Sequence, residues 1–112
     1  MSSTRINKIE RLLQKEISEL LHKYQLENHP HHLITVTVVR VSPDLSLARV
    51  YLSLFPPDKR QVLFDEINNQ KKQFRFHLGG KIRNQLRIVP EIAFFIDDSL
   101  DYVEKIDQLL KK

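Results

Sequence analysis

A run of cations between residues 71 and 87 is the part of this 112-residue sequence whose side chains could do chemistry. This basic window holds six lysines and arginines and no aspartate or glutamate. Guanidinium groups grip phosphate bidentately and ammonium groups bind it as point charges, so the window predicts a polyanion-binding surface, with Arg75 and Arg83 as its strongest contacts. The candidate binding residues are Lys71, Lys72, Arg75, Lys81, Arg83 and Arg87.

Two adjacent glycines, Gly79 and Gly80, lie inside the basic window. A backbone without side chains lets a phosphate approach and accept hydrogen bonds from main-chain N–H groups. The pair therefore predicts a place of close phosphate approach between the flanking cations. The alternative is that the glycines only permit close packing between elements of the fold.

Charge is unevenly distributed around this window. The whole chain carries 18 lysines and arginines against 14 aspartates and glutamates, for a net charge of +4, but residues 88–112 hold three basic and six acidic residues. A cationic patch beside an acidic flank is typical of a surface that binds a polyanion. A solvated helix face that happens to be basic remains the alternative.

Motifs for catalysis or metal binding are missing from the sequence. There is no cysteine, and His29, His31 and His32 have no sulfur ligand or helically spaced carboxylate beside them, so we read them as a polar loop. Without a phosphate loop or a nucleophile elbow, we expect no enzymatic activity, no cofactor, no metal and no small-molecule substrate. No apolar run approaches the ~20 residues of a membrane span, so we expect a cytoplasmic protein.

The hydrophobic periodicity predicts one α+β domain over residues 1–112, with a three-stranded sheet packed on helices. Its order is α-β-β-α-α-β-α. The predicted elements are a helix from Thr4 to Tyr24, strands Leu33–Val41 and Ala48–Phe55 joined as an antiparallel hairpin, a short helix after a capping box of Asp58 and Gln61, a long helix from about Asn69, a strand Ile92–Ile96 and a helix Leu100–Leu110.

The long helix has an unusual apolar pattern. Phe74, Leu78, Ile82 and Leu86 are spaced strictly by four, and such a row drifts about 40° around an ideal helix at each step. Something must correct this drift, because the row would otherwise leave the core. Glycine weakens a helix interior, so we predict a bend or an end near Gly79 and Gly80.

Several stretches of this sequence, in their order and spacing, resemble the ribosome-binding factor A family in the form that Bacteroidetes carry. The resemblance covers nearly the whole chain. It is carried by Arg5, Ile9, Leu12 to Ile17, the connector Val41-Ser42-Pro43-Asp44-Leu45-Ser46, Ala48 to Tyr51, Leu78-Gly79, Leu86-Arg87-Ile88-Val89-Pro90-Glu91 and Phe95 to Leu100.

This resemblance implies a type II KH-like RNA-binding domain without catalytic activity. Proteins of that family bind the free small (30S) ribosomal subunit, contact 16S rRNA near its 5′ end during late processing, and support growth in the cold. The partners implied are 16S rRNA and the small subunit, with the protein itself a monomer. A protein-interaction adaptor with incidental RNA affinity is the alternative, favoured by the acidic C-terminal flank.

The family also places an Ala-x-Gly kink between its two consecutive helices. The matching positions here, Gln70-Lys71-Lys72, contain neither alanine nor glycine. We therefore expect the bend somewhere between Lys72 and Gly80.

Overall fold

A computed structural model describes residues 4–99 of the chain, and in this range the elements follow the order α-β-β-α-α-β. They are α1 (Thr4–Asn28), β1 (Leu33–Val41), β2 (Leu47–Phe55), α2 (Arg60–Asn69), α3 (Lys71–Ile82) and β3 (Glu91–Ile96). The α+β class and the order of these six elements are as predicted. The predicted last helix, Leu100–Leu110, lies outside the described residues. Within residues 4–99, no helix is both long enough and apolar enough to span a membrane.

Helix α1 buries one face along its whole length. Every fourth residue points into the core, and the helix runs one turn beyond the predicted end at Tyr24 because Gln25 continues the buried row. The Gln25 side-chain oxygen accepts a hydrogen bond from the Ile34 N–H at 2.9 Å, which ties the end of α1 to the start of β1. The buried positions are Ile9, Leu13, Ile17, Leu21 and Gln25.

The sheet has the strand order β1-β2-β3, with β2 in the middle. Strands β1 and β2 pair antiparallel, as predicted, with a bulge between Val36 and Val38. The Asp44 carboxylate stabilises their connection by accepting bonds from the Ser42 hydroxyl at 2.7 Å and the Ser46 N–H at 3.1 Å. Strand β3 pairs parallel to β2, which the intervening helices allow because a parallel partner needs a long crossover.

One hydrophobic core lies between the helices and one face of the sheet. The central strand supplies Val50, Leu52 and Leu54, each at most 1% exposed. On the other face of the sheet, Tyr51 and Phe95 stack with ring centroids 5.3 Å apart.

Helix α2 starts differently from the prediction. The prediction of a capping box formed by Asp58 and Gln61 is wrong. Lys59 occupies the N-cap position in a left-handed conformation with φ of 62°, and no side chain caps the helix. The Gln61 amide instead donates to Asp65 one turn later, at 2.9 Å. Leu63 attaches the helix to the core.

Asp97 links the end of β3 to β1. Its Oδ2 accepts a hydrogen bond from the Thr37 hydroxyl at 2.5 Å, and its Oδ1 accepts one from the Ser99 N–H at 3.0 Å. The Thr37 hydroxyl, and then the Ser99 groups, hold the pKa of the Asp97 carboxyl below its ordinary value. A depressed carboxyl pKa contributes stability above the unfolded-state pKa, and that contribution is lost as the pH falls through the folded-state pKa.

We predict that Thr37→Val makes the fold less sensitive to acid. The wild type loses the contribution of Asp97 as the pH falls below about 4, the pKa of a free aspartate, whereas the variant has less of it to lose. Thermal unfolding of both proteins between pH 7 and pH 3 measures this difference. The matched control is Thr35→Val, an exposed position of the same strand. If the melting temperatures of Thr37→Val and the wild type fell equally between pH 7 and pH 3, this hydrogen bond would not set the Asp97 pKa.

Candidate nucleic-acid interface

The break between α2 and α3 falls at one residue, Gln70. Its φ of −96° and ψ of 5° lie outside the helical region, and its N–H donates to the Ile67 carbonyl at 2.9 Å. Helix α3 begins at Lys71 and continues through Gly79 and Gly80 to Ile82. The predicted bend between Lys72 and Gly80 is therefore wrong. The break coincides instead with the segment that matches the family kink, although that segment contains no glycine.

Because α3 is short, the apolar row stays on one face of the helix despite its drift. Phe74, Leu78 and Ile82 are buried, and two steps of four turn the row by only about 80°, which one packed face accommodates. The helix ends before a third step is needed. Leu86 reaches the edge of the core from the following segment, where it is half-buried.

The two glycines of α3 have different surroundings. A Cβ atom added to Gly79 would lie 3.3 Å from the Cγ2 atom of Val89, a tight contact. A Cβ atom added to Gly80 would have no neighbour within 4 Å. Close packing therefore accounts for Gly79, and no packing requirement within the described residues accounts for Gly80.

Arg75 is engaged by the backbone that leads into β3. Its Nη2 atom donates to the Val89 carbonyl at 2.8 Å and its Nε atom donates to the Pro90 carbonyl at 3.1 Å. These bonds attach the middle of α3 to the segment before β3. Arg75 thus has a structural role that the sequence did not reveal, and part of its guanidinium is already occupied.

Lys81 lies on a different side of α3 from Lys72. Nine residues separate them, which places their side chains about 180° apart around the helix. The Lys81 ammonium faces α1, with its Nζ 3.8 Å from the Glu19 carboxylate and 4.0 Å from that of Glu16. Its charge is therefore compensated within the fold, unlike that of an unpaired phosphate-binding lysine.

The remaining predicted cations are exposed. Lys71 begins α3, and Arg83 follows its last residue in a helical conformation, with its N–H bonded to the Gly79 carbonyl at 3.0 Å. Arg87 lies in the connection to β3 rather than on the helix. The six cations therefore do not form one ridge, because Lys81 faces α1 and Arg75 is held at the β3 entry.

A narrower surface remains, which we call the outer face of α3. Its four positions fall within an arc of about 80° around the helix axis. All four are exposed, and their neighbourhood in the sequence contains no carboxylate. The outer face consists of Lys72, Phe76, Gly80 and Arg83.

A second polar cluster joins α1 to α2. The Glu66 carboxylate accepts a hydrogen bond from the Tyr24 hydroxyl and pairs with Nε2 of His29. Burial, followed by the bond to Glu66, raises the pKa of Tyr24 above its usual range, and the Tyr24 bond lowers the pKa of Glu66. Among residues 4–99 no group of three histidines or carboxylates could hold a metal ion. The cluster therefore links the C-terminal end of α1 to α2.

Comparison with known proteins identifies the relatives of this chain. The family model described as ribosome-binding factor A matches residues 5–110. A curated relative from Cytophaga hutchinsonii, named ribosome-binding factor A, is 40% identical over 112 residues, covering 100% of this chain and 84% of the relative.

Solved structures confirm the fold. The crystal structure of ribosome-binding factor A from Thermus thermophilus matches with a TM-score of 0.69 at 22% identity, over 81% of this chain and 94% of that one. A Thermus thermophilus ribosome-binding factor A homology model, fitted into a cryo-electron microscopy map of its 30S complex, matches with a TM-score of 0.67 at 23% identity, over 81% and 93% of the two chains. The predicted KH-like α+β fold agrees with these matches.

We predict different net effects on stability for alanine at the two glycines. Gly80→Ala should raise the free energy of unfolding by about 0.5–1 kcal/mol, because alanine favours the helix and meets no neighbour. Gly79→Ala has the same helical gain but presses on Val89, so its free energy of unfolding should lie below that of Gly80→Ala. Urea unfolding measures both. Equal gains would show that the contact with Val89 is not tight.

We predict that Arg75 stabilises the fold and Arg83 does not. Arg75→Gln should lower the free energy of unfolding by about 1 kcal/mol, because two hydrogen bonds from a charged donor are lost. Arg83→Gln removes the same charge from an exposed position and should change it by less than about 0.5 kcal/mol. Chemical denaturation of the two variants measures the difference. Indistinguishable unfolding curves would contradict the structural role of Arg75.

Proposed function

This chain belongs to the ribosome-binding factor A family, and we propose that it binds the free small ribosomal subunit through the outer face of α3. In this proposal it acts in the cytoplasm as a single KH-like domain over residues 1–112. It assists late maturation of 16S rRNA near the 5′ end by binding, without turning over a substrate.

The observation that carries this proposal is the pair of cations Lys72 and Arg83 on the outer face, neither of which has an ion-pair partner among residues 4–99. Both are exposed, and the basic window around them contains no carboxylate. Lys81 lies near two carboxylates of α1, and two nitrogens of Arg75 are bonded to carbonyls, so Lys72 and Arg83 are the cations on the side of the helix opposite its buried row. Lys71, at the start of α3, and Arg87, in the connection to β3, are exposed cations outside this face.

A helix with this surface suits structured RNA. RNA offers phosphates and 2′-hydroxyls along a shallow minor groove, which are contacted by shape rather than by base sequence. Lys72 and Arg83 lie about three turns apart on the same side of the helix, so their side chains can reach two separate phosphates of such a row. Gly80, on the same face, leaves room for the ribose-phosphate backbone to approach α3, whereas Gly79 packs close to Val89.

We predict that the double variant Lys72→Gln and Arg83→Gln binds free small subunits about tenfold or more weakly, because two charged contacts are lost. If each cation neutralises one phosphate, the slope of log affinity against log salt becomes shallower by about 2. Co-sedimentation with purified small subunits over a range of salt concentrations measures affinity and slope together. The wild type should bind free small subunits and not joined ribosomes.

The matched control is Lys15→Gln with Lys23→Gln, which removes the same charge from exposed positions on α1. It should bind like the wild type. Equal losses in the two double variants would show that net charge matters and the outer face does not. Binding by the wild type that resists both high salt and ribonuclease would favour the adaptor function and contradict RNA binding.

A further inference from the structure

We propose that Phe76 is a stacking platform for an unpaired RNA base, and that the rest of the outer face holds the sugar-phosphate backbone of the same nucleotide. This inference rests on the proposed binding of rRNA. It adds a contact to a base, where the cations alone supply contacts to phosphate.

Phe76 is the most exposed of the large apolar side chains in the described part of the chain. Its exposed fraction is 79%, compared with 7% for Phe74 two residues earlier. The ring is nearly perpendicular to the neighbouring His77 ring, at a centroid distance of 5.7 Å, and is not among the side chains that form the core or pack against it. Among residues 4–99 this phenyl ring has no part in the core, and its exposure allows a planar group to stack on it.

The position of Gly80 makes room beside the ring. Residues four apart on a helix are neighbours on its surface, so Gly80 lies one turn beyond Phe76. A Cβ atom at Gly80 would have no neighbour within 4 Å, so packing among residues 4–99 does not require glycine there. The consequence is a bare patch of helix next to the exposed ring. A base stacked on the ring would have its ribose beside this patch.

The charges around Phe76 favour a nucleotide over an apolar peptide. Lys72 lies one turn before the ring and Arg83 about two turns after it, on the same side of the helix. An apolar partner would need further apolar side chains on this face, and the positions one turn away on either side are a lysine and a glycine. Aromatic rings combined with flanking cations are the pattern by which proteins hold unpaired bases.

Substitution of Phe76 by leucine and by tryptophan tests the aromatic requirement. Phe76→Leu keeps an apolar side chain and removes the π face, and it should weaken co-sedimentation with purified small subunits about 5- to 100-fold, the range expected for one base stacked on one ring. Phe76→Trp keeps the aromatic face and should bind within about twofold of the wild type. Phe76 is exposed, so both variants should unfold like the wild type.

Fluorescence identifies what covers the ring. The natural sequence contains no tryptophan, so Phe76→Trp carries a single reporter. Oligoadenylate of ten nucleotides should quench this tryptophan at low salt. The matched control is Val62→Trp, at a position on α2 that is 69% exposed, and its fluorescence should not change.

Each outcome separates the two proposals. Wild-type affinity in Phe76→Leu would overturn base stacking and leave the binding of small subunits intact. Equal losses in the leucine and tryptophan variants, or a tryptophan at position 76 that RNA does not quench, would also overturn it, because the contact would then not be a stacked base. Failure of the wild-type protein to co-sediment would overturn the proposed function, and the stacking platform with it.

Discussion

The packing of α3 against the core determines which parts of the basic window reach solvent. Phe74, Leu78 and Ile82 fix the rotation of the helix, because each is 7% exposed or less and none can leave the core without a large loss of buried apolar surface. Once this row faces inward, the helical repeat determines the side of α3 on which every other side chain lies. The candidate interface is therefore a consequence of core packing, and its composition follows from positions in the helical repeat.

The same constraint explains why one basic window has three different roles. Residues on one flank of the buried row face α1, and there Lys81 meets Glu16 and Glu19. On the other flank, Arg75 meets the carbonyl groups that precede β3. Lys72 and Arg83 lie on the side of the helix opposite the buried row, and their side chains have no ion-pair partner in the part of the chain that the structure describes. A count of cations along the sequence overstates the binding surface, since it cannot distinguish a charge used by the fold from one available to RNA.

Periodicity predicted the elements well and the break between helices poorly. The β-branched run of β1 and the alternation in β2 have few alternative structures, and Pro30 limits α1, so these elements follow from local chemistry. The break at Gln70 has no such local signal, because a glutamine is compatible with a helix interior. It arises from the way α2 and α3 pack on the core. The partners of Arg75 and Lys81 could not be predicted for the same reason: they lie on elements distant in the sequence.

Gly79 and Gly80 show that two neighbouring residues of the same type can lack a side chain for different physical reasons. Both were expected to bend α3, yet the helix passes through them, so each lowers helix stability without changing its path. At Gly79 the proximity of Val89 provides a structural reason for the missing side chain. At Gly80 the open surroundings provide none, and the loss of helix stability there is uncompensated within the described fold. The proposed RNA contact would give Gly80 a role, because this glycine lies beside the exposed ring of Phe76 and near Lys72 and Arg83, which have no ion-pair partner among residues 4–99.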